Sequence, residues 1–131
     1  MQLNQSTDYA IRMILYLAKA AHTVPSSKLS AALGISSRYL LQIGARLRDA
    51  GMVQVSHGNT GGYLLAKNPE EITVYEIIRL VENKPHVNFF PEQSEKKDEF
   101  PILNFAYRHM NKMITKTLQS MTIESLLKRE R

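Results

Sequence analysis

Apolar residues recur at three- and four-residue spacing along most of this chain, and the interruptions fall on glycine, proline, serine or threonine. Ile11, Ile14, Leu15 and Ala18 form one face of a helix predicted from Asp8 to Ala21, with Ser6 or Thr7 placed to cap it. Pro25-Ser26-Ser27 restarts the chain, and Leu29, Ala32 and Leu33 predict a short second helix closed by Gly34. A third helix is predicted to run to Ala50, capped by Ser36 or Ser37 and stopped by Gly51. Its apolar set is Tyr39, Leu40, Ile43 and Leu47. Two short helices separated only by Gly34-Ile35-Ser36 make a helix-turn-helix, the glycine supplying the positive φ that lets them cross steeply. Met52 to Ser56 and Tyr63 to Leu65 then read as two strands around a glycine-rich loop, which is a wing.

Beyond Pro69 the period returns. Ile72, Val74, Ile77, Ile78 and Val81 fit a fourth helix capped by Thr73. Asn83 to Phe100 has no period, two prolines, the pair Phe89-Phe90 and the charged run Glu95-Lys96-Lys97-Asp98-Glu99, and is expected to be a loop. From Pro101 the residues Ile102, Phe105, Ala106, Met110, Met113, Ile114, Thr117, Leu118 and Met121 keep helical spacing for about five turns. So long a helix in so small a protein needs a partner surface. Thr122 restarts a short last helix containing Leu126 and Leu127. The fold class expected is mainly α: a winged helix-turn-helix over 1–82 with a two-stranded wing, a loop over 83–100, and a long dimerisation helix with a short C-terminal helix over 101–131.

Composition narrows the chemistry. In 131 residues Lys and Arg outnumber Asp and Glu 17 to 12, a net charge of +5 that favours a polyanionic partner. Cysteine is absent, which removes disulfides, thiolate nucleophiles and cysteine-held zinc or iron-sulfur sites together. The first residues lack the charged and apolar regions of a signal peptide, and no apolar run reaches membrane-spanning length, so a cytoplasmic location without membrane contact is expected.

With the apolar residues of the third helix turned inward, Arg38, Gln42 and Arg46 fall roughly in line on the other side. The major groove admits such a helix, where Arg pairs with guanine and Gln with adenine. A solvated amphipathic helix would explain any one of these residues. The preceding tight turn, the following wing and the basic charge together favour double-stranded DNA. Arg38 and Gln42, with Ser37 and Tyr39 nearby, are expected at base edges, and Arg46, Arg48 and Lys67 at phosphates or intramolecular carboxylates. In the wing, His57 is the only candidate for a side chain entering a minor groove, and a backbone amide around Gly58, or Asn59 or Thr60, can contact phosphate. His57 can equally be simply exposed. No catalytic constellation is present: His22, His57, His86 and His109 lie far apart without metal spacing, and no nucleophile motif accompanies them. Asp8 and Arg12 read as a surface ion pair one helical turn apart. No enzyme activity and no cofactor are expected.

These residues resemble, in order and spacing, the bacterial Rrf-two family of transcriptional regulators. The resemblance is carried by Thr7-Asp8-Tyr9-Ala10, Ser36-Ser37-Arg38-Tyr39-Leu40-Leu41-Gln42, Arg46 to Val53, Gly58 to Leu65 and Ile72 to Ile78, and extends by pattern to the end of the chain. It implies a homodimer in which the long helix crosses its mate, with Ile102, Phe105, Ala106, Met110, Met113, Ile114 and Thr117 at the seam, and two winged domains on a partly palindromic operator. Many relatives hold an iron-sulfur cluster through three cysteines in the loop matching Asn83 to Phe100. This chain has none, so the cluster is not carried over. Asp8 matches a non-cysteine ligand position of the nitric-oxide sensors but cannot hold a cluster alone. His57 stands where the family commonly has a wing arginine.

The chain therefore looks like the cluster-free branch, its signal a small-molecule effector or a partner protein received near Phe89, Phe90 and Phe100, unless these rings merely pin the loop to the core. The reading reached is a homodimeric DNA-binding repressor. The rival is a winged-helix adaptor that docks a partner protein instead of DNA.

Overall fold

The computed structural model describes residues 3–91 and 100–130. The order is α1 (Gln5–Ala20), α2 (Ser26–Leu33), α3 (Ser37–Asp49), β1 (Val53–Ser56), β2 (Gly62–Leu65), a 3-10 turn (Pro69–Glu71), α4 (Val74–Val81), α5 (Pro101–Ser120) and α6 (Ile123–Glu130). The charged run Glu95 to Glu99 lies outside the described residues.

Side-chain caps open α1, α3 and α4, with one correction, whereas α2 and α5 start without one. Ser36 accepts from the Tyr39 amide at 3.1 Å and Thr73 from the Glu76 amide at 3.1 Å, as expected for α3 and α4. In α1 the cap is neither Ser6 nor Thr7 but Asn4, whose side chain accepts from the Ser6 amide at 2.8 Å. Thr7 faces the core instead, fully buried, and its hydroxyl has no partner among the described residues. The turn between α2 and α3 works as the glycine implies, with Gly34 at φ +69°.

The main core gathers one face of α1 (Ala10, Met13, Ile14, Leu17) against Leu29 of α2, Leu40, Ile43 and Leu47 of α3, and Met52, Val53 and Tyr63 at the wing. The wing is an antiparallel pair with Val53 opposite Leu65 and Ser56 opposite Gly62. It is tied to the α1–α2 connection by reciprocal 2.9 Å hydrogen bonds between Val24 and Tyr63. This bridge requires Gly62, at φ +152°, because a Cβ there would run into the Val24 carbonyl.

Residues Ile123 and Leu127 of α6 sit in the same core, so this last helix packs with the winged body and not along α5. Its entry is fixed by hydrogen bonds from the Val74 amide to Met121 and from the Ile123 amide to Ile72, both 2.9 Å.

A smaller cluster of Val74, Ile78 and Val87, with Phe89 and Leu118 against it, joins α4 to α5. The apolar stripe expected on α5 thus divides. Leu118 turns toward the body, whereas Ile102, Phe105 and Met113 are 76%, 61% and 57% exposed. The one buried residue of α5 is polar: Asn111 accepts from the amides of Phe89 (3.1 Å) and Phe90 (3.0 Å) and donates to the Phe90 carbonyl (3.1 Å). Phe90 also stacks on Tyr107 at 5.4 Å. Phe89 and Phe90 are therefore pinned to the body and to α5, while Phe100, just before α5, is exposed.

Candidate nucleic-acid interface

Helix α3 buries Leu40, Ile43, Gly44 and Leu47, one continuous face, since about 100° of rotation per residue brings positions three and four apart together. Ser37, Arg38, Leu41 and Gln42 consequently point away from the core and are exposed. No ion pair engages Arg38 among the described residues.

The other expected contact residues are placed differently. Tyr39 is turned sideways: its ring meets Tyr9 edge-on at 5.8 Å and its hydroxyl lies 3.2 Å from Ser6 Oγ, so it braces α3 against α1. The in-line placement of Arg46 with Arg38 and Gln42 needs correction. Arg46 bends to the side, and its Nη1 donates at 3.3 Å to the carbonyl of Val81, the last residue of α4. A helix C-terminus has carbonyls without intrahelical partners and partial negative charge, which draws the guanidinium there. Within the folded chain its partner is thus a backbone carbonyl and not the intramolecular carboxylate that was one of the two expectations for Arg46. Lys67 does meet an intramolecular carboxylate, Glu76, at 3.2 Å with both partly buried, and Arg48 lies 3.4 Å from Asp49 at the surface.

The wing presents His57, Gly58, Asn59 and Thr60 to solvent. Gly58 has φ +98° and its carbonyl accepts from Gly61 at 3.1 Å, closing the tip as a tight turn. Below the tip, Tyr63 lies against the backbone of α3 at Gly44, where an added Cβ would come within 2.6 Å of its Cε1 and Oη. Glycine at this position inside a helix is thus what lets the wing tyrosine wedge under the recognition helix. Burial raises the Tyr63 phenol above its ordinary value, partly opposed by the nearby Arg48 charge.

Two members of this interface were missed in the sequence. Gly44 carries no sign of its partner, which lies in another element. Leu41 did carry one: it stands three residues after Arg38, on the outward side, where an aliphatic residue has no core to enter.

A helix-turn-helix with an exposed basic and amide-bearing second helix, followed by a two-stranded wing, defines a winged-helix DNA-binding regulator. Known proteins agree with this class. Residues 3–129 match the family model described as Rrf2, iron-dependent transcriptional regulator. The chain is 30% identical over 128 residues to the HTH-type transcriptional regulator CymR of Bacillus subtilis, covering 96% of this chain and 89% of that protein. It is 32% identical over 130 residues to IscR of Pectobacterium atrosepticum, covering 97% and 79%. The solved structure of CymR, the global cysteine regulator of B. subtilis, superposes with a TM-score of 0.81 at 26% identity over 96% of this chain and 95% of that one. The chain belongs to the Rrf2 family of transcriptional regulators; it is a DNA-binding regulator and not an enzyme.

The family's iron raises the question of a metal centre. A thiolate-held cluster needs cysteines, and the sequence contains none. Asp8 is committed to Arg12 at 3.0 Å, and no group of three or more His, Asp or Glu able to hold a metal occurs among the described residues. The donor set does not fit such a cluster. None of the helices among the described residues is long and apolar enough to cross a membrane.

Proposed function

We propose that the protein is a cytoplasmic repressor that binds a partly palindromic operator as a homodimer, each α3 entering a major groove and each wing following the adjacent backbone. The observation that carries this reading is the outward side of α3, where Arg38 and Gln42 stand exposed beside an exposed wing tip over His57 to Thr60. Ser37, at the first turn of α3, sits where its hydroxyl and amide can reach a phosphate. Arg48 can exchange the exposed carboxylate of Asp49 for a phosphate. Arg46, Tyr39 and Lys67 act indirectly, holding α3 and the wing in place.

The seam of the dimer is the outer side of α5, with Ile102, Phe105, Ala106, Met110, Met113, Ile114 and Thr117. Its exposed large apolar residues are what a soluble monomer rarely leaves uncovered. The loop after α4 and the start of α5 form the region through which an effector or partner protein acts. An open cavity of about 620 Å³ lies there, lined by Asn88, Phe105, Arg108, His109, Asn111 and Lys112.

A salt titration of operator binding separates this reading from a protein-docking adaptor. Phosphate contacts release counterions, so the logarithm of the affinity should fall with the logarithm of salt at a slope of about −0.9 per phosphate neutralised. A protein that retains no duplex even at low salt, where phosphate contacts are strongest, would refute this reading in favour of the adaptor.

A further inference from the structure

The geometry points to Leu41 as a base-reading residue: we propose that its side chain packs on the 5-methyl group of a thymine in the major groove. The inference rests on the DNA-binding reading above and adds a base preference to it.

Leu41 is 57% exposed, an aliphatic side chain turned to water on a helix whose other aliphatic residues, Leu40, Ile43 and Leu47, are buried. Its position forbids any other course. One residue past Leu40, it is rotated about 100° out of the core face and onto the side shared by Arg38 and Gln42. The residue one turn further along that side is Ala45, small and half-buried. The outward face therefore carries two strips, a polar one through Arg38 and Gln42 and an apolar one through Leu41 and Ala45.

In the major groove the base edges offer hydrogen-bond donors and acceptors and a single apolar group, the thymine methyl. A leucine set among hydrogen-bonding side chains on a groove-facing helix matches that one group. It matches nothing else in the groove. A protein surface as the occupant fits less well, because covering Leu41 would also strip water from the Arg38 guanidinium and the Gln42 amide beside it, and these need charged or polar partners. DNA supplies those partners and the methyl at once.

The test begins with duplexes selected by the wild-type protein from a random pool. Each thymine of the selected site is then replaced singly by deoxyuridine, which removes only the methyl. One thymine per half-site should show weakened binding, by about fourfold for the loss of one buried methyl. Leu41→Ala should bind the thymine duplex several-fold more weakly, keep the wild-type melting temperature, and show no further loss with deoxyuridine at that position. That non-additivity identifies the pairing of leucine with methyl.

Tolerance of every deoxyuridine within twofold, or an equal loss in wild type and Leu41→Ala, would overturn the assignment while leaving DNA binding intact. Failure of the pool to enrich any duplex would instead bring down the DNA-binding reading and this inference with it.

Discussion

Replacing Gly44 by Ala sets two effects of opposite sign against each other on the recognition helix. In a helix interior, Gly→Ala normally stabilises by about 1 kcal/mol, because glycine loses more backbone freedom on folding. Here the added Cβ would lie 2.6 Å from Tyr63 Cε1, 2.6 Å from Oη and 2.8 Å from Cζ. The ring is packed into the core at this point. Tyr63 is 3% exposed, and its backbone is held by hydrogen bonds to Val24 on one side and by the strand pairing with Val55 on the other. Overpacking of this kind costs about 1–3 kcal/mol, and approaches this short belong at the upper end. The expected net result is destabilisation by about 1–2 kcal/mol, a fall in melting temperature of roughly 3–8 °C for a chain of this size. Calorimetry or a circular-dichroism melt reads it directly. Gly44→Ala combined with Tyr63→Leu should be less destabilised than the sum of the two single changes, by at least about 1 kcal/mol. A Gly44→Ala protein that melts at or above the wild-type temperature would show that the ring yields freely and refute the wedge.

Three further outcomes are expected. Arg38→Ala with Gln42→Ala should weaken specific operator binding by about 1–3 kcal/mol for each base-edge interaction removed while leaving the melt unchanged, and unaltered affinity in the folded double variant would remove α3 from the groove. Met113→Glu should shift the sedimentation of the protein toward monomer by burying an unpaired charge at the seam; a wild type already monomeric at tens of micromolar would refute the seam itself. Because burial raises the Tyr63 phenol above 10.0, the folded state keeps its proton at a pH where the unfolded chain releases it. Stability should thus be full below about pH 10 and fall as pH rises through the folded value, and a Tyr63→Phe variant should lose that part of the alkaline decline. Identical alkaline profiles for the two proteins would assign the decline to other groups.

What could be read from the sequence was what neighbours along the chain settle. Gly34 sets the turn, Ser36 and Thr73 cap α3 and α4, and the three- and four-residue spacings mark the buried side of those two helices, because caps and helical periods act over a few residues; in α1 the buried face is Ala10, Met13, Ile14 and Leu17, of which the spacing expected only Ile14. Most of the departures involve pairs remote in sequence. Asn4 displaces Ser6 and Thr7 as the cap of α1 because Thr7 is drawn into the core. Arg46 is drawn to the end of α4, 35 residues away, and Tyr39 to Tyr9 and Ser6. Asn111, which no apolar pattern marks, holds the backbone of the loop at Phe89 and Phe90. Gly44 is only a break in helix propensity until Tyr63 is seen beneath it. Amphipathic spacing determines that a face turns inward; which side chain ends up against which, and so which cations remain available to a phosphate, is decided by non-local packing that only the tertiary structure contains.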